Sequence, residues 1–371
     1  MNRKLFQVLL LLLPFCVQAQ NKVNFSNAFK KQNQGKYKIE IHQVKELVHI
    51  MIAITASGRE NDDMIQQQGQ YYKEVLNHFK PFSNEKIIKT FDSLMNVSPY
   101  YYIFLTGNAI SYDFNGGRLQ KSKIYDFPAT GVANMKITEN PITRYKAEIE
   151  AFAQRSKFRE FYKKHQPFYD SIIAEYNKNA NLGKQWKWLE KNFDTKIGTY
   201  LILCSPLVNG LNYTTEFDDN NFRLIQMVLP TLDKYPNLNE LQNEILNTRV
   251  MFTEIDHNYV NPPSNANATA INKLFADRSI WIDEKANGAF AYPNGLKVFN
   301  EYMTFGVFLL YCKEYYNAAA YERTYQETIQ LMKERGFPKM KEFTDQLLAT
   351  GSQMQGKKID SWYPDFLKRF E

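Results

Sequence analysis

Apolar residues recur every three to four positions along most of this chain, and the elements they predict are mainly helices. Residues 44–56 form an apolar helix with His49 at its middle. Residues 64–79 and 84–95 read as two amphipathic helices parted at Pro81. The longest helical pattern, 142–177, carries an aromatic stripe through Phe158, Phe161, Tyr162, His165 and Phe168, and Pro167 should kink or split it. Further helices are expected at 186–193, 238–260 and 296–320, and over most of 321–371. Strand patterns are fewer. Residues 37–42 alternate, and Asn115-Gly116-Gly117 supplies the turn of a hairpin over 110–124. The continuous apolar runs 198–204 and 221–229 read as buried strands, antiparallel through the loop 209–219. Helix 238–260 is apolar almost all round, so it should be buried, and Pro262-Pro263 should end it.

The pattern predicts an α+β, mainly helical fold with a small antiparallel or mixed sheet. At 371 residues, with 15% aromatic side chains, the chain can bury a sizeable core or two. The domain reading is a leader over 1–19, an N-terminal helical or mixed region over 20–140, and a domain over 141–371 that holds helices 238–260 and 296–320. The leader has a short basic start at Arg3-Lys4, an apolar run over 5–17 and a small residue, Ala19, before the expected cut. This implies export to the periplasm or the exterior. A lipoprotein reading through Cys16 is weaker, because Phe15 is not a small residue. No later run is long enough to span a membrane.

Cleavage removes two basic residues, so the net charge falls from +7 to +5 (44 basic against 39 acidic). The charge is spread along the chain without a Lys/Arg cluster among aromatics, which argues against nucleic acid. Cys204 and Cys312 remain, either paired or as buried free thiols. No P-loop, G-x-G-x-x-G or G-x-S-x-G pattern is present.

One stretch looks like chemistry. Thr253, Glu254 and His257 fall in the spacing of the zinc-peptidase motif H-E-x-x-H, with Thr in place of the first His. On a helix, residues four apart share a face, so Thr253 and His257 point the same way with Glu254 beside them. A neutral Thr hydroxyl is a poor zinc ligand. Glu301 sits in the first turns of helix 296–320 among Phe299, Met303 and Phe305. It reads either as a carboxylate facing water near the helix start or as a metal ligand. His49 and His165 read as hydrogen-bonded core histidines; for His49 the alternative is a ligand donated to the motif.

The run Thr253-Glu254-Ile255-Asp256-His257-Asn258-Tyr259-Val260-Asn261-Pro262, followed by Asn300-Glu301, resembles the gluzincin plan of H-E-x-x-H plus a downstream helical Glu. More closely, the chain resembles an uncharacterised domain-of-unknown-function family of secreted bacterial proteins, in which this helix reads H-E-F-x-H-x-x-x-N-P. Glu46-Leu47-Val48-His49-Ile50, Tyr71-Tyr72, Phe161-Tyr162, Trp188-Leu189-Glu190 and Ser205-Pro206-Leu207 agree with it. The resemblance implies a zincin-like core, with Glu254 as the general base and His257 and Glu301 as zinc ligands. It also implies that strand 221–229 is the edge along which a peptide lies. Thr253 at the first ligand position implies a degenerate site that holds zinc weakly or not at all and binds a peptide or protein in the former cleft. The alternatives are an active metal-dependent peptidase with a replacement ligand, and an interaction protein without enzymatic ancestry.

Overall fold

The computed structural model describes residues 22–132, 134–286 and 288–371. The expected leader, with Cys16 and Ala19, lies outside the described residues. The described chain is mainly helical with small sheets, the α+β class expected. It divides into two compact units. One takes the chain up to Tyr176 and again Ile197–Leu232; the other takes Asn177–Lys196 and Asp233–Glu371. No described helix is long and apolar enough to cross a membrane.

The first unit is built on a four-stranded sheet. Its strands are β1 (Lys36–Glu40), β2 (Thr199–Cys204), β3 (Tyr213–Asp219) and β4 (Phe222–Leu229), in the order β1-β2-β4-β3. β2 is parallel to β1 and to β4; β3 alone runs antiparallel, against β4. This corrects two expectations. Residues 213–219 are a strand rather than part of a loop, and they take the antiparallel place beside β4. The polar run YTTEFDD hid this strand, because at the sheet edge only Tyr213 and Phe217 are buried and the polar positions between and after them are half-buried or exposed. β4 itself is not an edge. Leu224 lies opposite Thr199 on one side and Phe217 on the other, so β4 has no free backbone row for a peptide. The near-continuous burial of β2 and β4 fits strands paired in parallel and covered on both faces.

Helices α1 (Gln43–Ala53), α2 (Gln70–Phe79) and α3 (Tyr101–Asn108) belong to the same unit. α1 is buried from Val44 to Ala53, and this includes three ionisable side chains. Lys45 Nζ donates to the Thr106 carbonyl at 2.8 Å and to Tyr213 Oη at 2.9 Å. Tyr71 donates to Glu46 Oε1 at 2.7 Å and lies 2.6 Å from Tyr169 Oη. His49 is a core residue stacked on Tyr102, but neither ring nitrogen has a hydrogen-bond partner, unlike the satisfied histidine expected. His165 does meet that expectation, with Phe161 O at 2.8 Å and Glu74 Oε2 at 2.9 Å. The long pattern over 142–177 is split, and its last helix is Gln166–Asn179. Pro167 falls in the first turn of that helix, where its missing N–H leaves no bond unmade.

The second unit contains α4 (Leu182–Asn192), α5 (Glu240–Ile255), α6 (His257–Ala266), α7 (Gly295–Tyr315), α8 (Ala318–Glu334) and α9 (Met340–Gln353). α7 is buried along almost its whole length and packs against α5, α6, α8 and α9. The predicted helix 296–320 ends at Tyr315, because Asn317 caps α8 through the Ala320 N–H. Helix 238–260 starts at an Asn239–Gln242 capping box, and Pro262 and Pro263 do not end it. They lie inside α6, and the interruption comes earlier, at Asp256, whose carbonyl accepts from both Tyr259 and Val260 at 2.8 Å. Cys204 and Cys312 are free and buried.

Candidate functional site

The T-E-I-D-H residues stand at the α5–α6 junction, facing α7. Asn300 Nδ2 donates to Asn261 Oδ1 at 2.9 Å, which ties α6 to the turn of α7 that carries Glu301. Tyr363 Oη donates to the Val260 carbonyl at 3.2 Å and holds α6 from its other side. Trp188, on α4, packs on Phe252 and Tyr311 and so supports α5 at the residue just before Thr253 and α7 well beyond Glu301.

Thr253, Glu254 and Asp256 are buried, and His257 is partly so. The Thr253 hydroxyl donates back into its own helix, to the Arg249 carbonyl at 3.1 Å. His257 Nδ1 lies 3.4 Å from Thr304 Oγ1 on α7. Glu301 Oε1 accepts from Arg335 Nη2 at 2.8 Å, and the same nitrogen lies 3.0 Å from Tyr292 Oη. The Arg335 guanidinium also rests over the Phe305 ring, 5.1 Å from its centroid. The arrangement is a partly buried ion pair among aromatic rings, with Glu254 Oε1 buried nearby and without a hydrogen-bond partner.

Burial first, and then the charges within the cluster, set its titration. Burial raises the Glu254 carboxyl to about 8; the Glu301 charge pushes the same way and Arg335 opposes it. Burial also lifts Asp256 well above the carboxylate range, aided by Glu301 and Glu254. Burial lowers the His257 imidazole; the Glu301 charge opposes this, while Lys297 and Arg335 add to it. Burial works against the Arg335 charge, but Glu301, Tyr292 and Glu254 together more than offset it, and the guanidinium rises above its usual value.

The structure therefore brings Glu254, His257 and Glu301 into one cluster, but as placed they do not fit a zinc ion. Thr253 spends its hydroxyl on its own helix, and Glu301 is engaged by a cation from the protein. Among the described residues, no group of three His, Cys, Asp or Glu side chains could hold a metal.

Arg335, Tyr292 and Thr304 were not legible as site residues. Arg335 caps the C-terminus of α8, where a basic residue reads as a partner for the helix dipole. Gly336 follows it with φ of +91°, and a Cβ there would come within 2.5 Å of the Ala286 Cβ. That turn, which glycine alone makes without strain, leaves the helix end beside Glu301.

No match was found among curated proteins or among solved structures. The family described as Domain of unknown function (DUF4932) matches residues 37–369, which takes in the sheet strands, the buried α1 cluster and the α5–α7 site together. The chain belongs to that family.

Proposed function

We propose that this is an exported, zincin-like protein whose metal site has been replaced by a protein cation, leaving a surface that binds a peptide or protein without cleaving it. The observation that carries this reading is the Arg335–Glu301 pair: a guanidinium supplies the positive charge that a metal would bring to the expected third ligand. The Thr253 hydroxyl, turned to the Arg249 carbonyl, supports it. With the metal ligands engaged elsewhere, the activation of water by Glu254 has no Lewis acid to lean on, and a carboxyl near 8 is largely protonated at neutral pH. The edge strand for the peptide is not β4, so a bound chain would have to use another surface.

The test is the zinc content of protein purified without added metal, read by mass spectrometry. The parent is compared with His257→Ala and with the double variant Thr253→His/Arg335→Met. The reading expects well under one zinc per chain in the parent and a gain in the double variant, where an imidazole is restored and Glu301 released. One zinc per parent chain, lost in His257→Ala, would overturn it and favour an active peptidase. N-terminal sequencing of the exported form tests the cut after Ala19.

A further inference from the structure

One or more turns N-terminal to the motif, α5, α7 and α8 line a pocket of about 360 Å³. Leu241, Ile245 and Phe308 form an apolar wall. The opposite character comes from Arg249, whose guanidinium makes no hydrogen bond or ion pair among the described residues. Thr328 also lines the pocket; its hydroxyl is buried and lacks a hydrogen-bond partner. The first turns of two long helices open on the same space, α5 at Asn239 and Gln242 and α8 at Asn317 and Ala320. The N–H groups of Asn239, Gln242 and Ala320 are taken up by the caps, so what the helix starts add here is the positive end of the dipole, which favours an anion. Arg323 and Glu327 face the pocket and pair with each other at 2.6 Å, so Glu327 reaches Arg249 only as a shared counter-charge and forms no ion pair with it. Desolvation lowers the half-buried Arg249 guanidinium to about 10 and the Arg335 charge adds to this, while Glu327 opposes it; a bound anion would act in the same sense as Glu327.

We propose that this pocket binds a carboxylate carried on an apolar group, with Arg249 forming the ion pair and Thr328 donating to the same carboxylate. The guanidinium fork matches two coplanar oxygens, and the apolar wall takes the adjoining side chain. The carboxylate comes either from the end of a peptide chain or from a small free acid. The pocket lies apart from the Glu254–Glu301–Arg335 cluster, so the proposal stands whether or not that cluster binds metal.

Calorimetric titration of the full chain tests it with four probes: N-acetyl-leucine, N-acetyl-leucinamide, acetyl-Ala-Ala-Ala-Leu with a free C-terminus, and inorganic phosphate. The acid should bind and the amide should not. Arg249→Met should weaken the acid by about 10- to 100-fold and Thr328→Val by about 3- to 10-fold, the range for losing a charged and a neutral hydrogen bond. Glu327→Gln, which removes the internal competitor, should tighten binding; it keeps the test open if Arg249→Met fails to fold. A tetrapeptide tighter than N-acetyl-leucine assigns the source to a chain terminus, and equal affinities assign it to a free acid; both support the carboxylate site. Equal binding of acid and amide, an unchanged affinity in Arg249→Met, or phosphate bound more tightly than the acid would overturn it.

Discussion

Replacing Glu254 with Gln should remove a pH dependence of folding that the wild-type protein carries. In the folded state the Glu254 carboxyl is raised to about 8, from its ordinary value of 4.5. Between those values the native state holds a proton that the unfolded chain has released, so stability falls as pH rises through the window. Full titration would amount to at most about 5 kcal/mol. His257 acts in the opposite sense, but its imidazole is lowered, so its share ends below about 6.5, the ordinary histidine value. From pH 6.5 to 8.5 Glu254 alone should cost the wild type roughly 2 kcal/mol, and Glu254→Gln should not pay it. The assay is urea denaturation followed by tryptophan fluorescence. All four tryptophans (Trp186, Trp188, Trp281 and Trp362) lie in the second unit, so the signal reports the unit that holds Glu254. Subtracting variant from wild type at each pH cancels groups elsewhere, such as the buried Lys45. If the difference is flat from 6.5 to 8.5, the carboxylate is solvated, and the desolvated cluster described above is wrong.

Arg335→Met removes the partner of Glu301, whose side chain is 9% exposed, and should destabilise the second unit by about 3–5 kcal/mol at pH 8. Part of that loss should return at pH 5, where the stranded carboxyls take up protons; equal losses at both pH values in the same denaturation assay would refute an ionic cause. Tyr71→Phe takes the donor from the buried Glu46 carboxylate and should cost about 1.5–3 kcal/mol, read by circular dichroism melts. A thiol reagent should leave native Cys204 and Cys312 unreacted and label both in urea without a reductant, since both are buried and free and burial raises Cys204 to about 12. Labelling of native protein, or none after unfolding, would contradict this.

The site was half visible in the residues. Glu254 and His257 could be placed together because helical spacing is local, and Glu301 because a second helical pattern followed at a distance that the family resemblance supplied. Arg335 could not, although it decides what the others do. It lies 34 residues beyond Glu301 and carries no pattern except that of a helix end. Likewise, the unpaired state of Arg249 follows from which helices enclose it, and nothing in NTRVMF announces it.

The sequence by itself determined the helical class, the two buried strands, the hairpin turn at Asn115-Gly116-Gly117 and the membership of a family that spans residues 37–369. These follow from periodicity and turn chemistry, which act over a few residues. Only the tertiary structure decided that β4 is a central strand parallel to β2, that the chain crosses between two units, and that a guanidinium meets Glu301. Strand sense depends on where an intervening polar segment pairs, and the state of a buried carboxylate depends on which charge reaches it. Both are set by residues distant in the chain, and they exist only once the chain has packed.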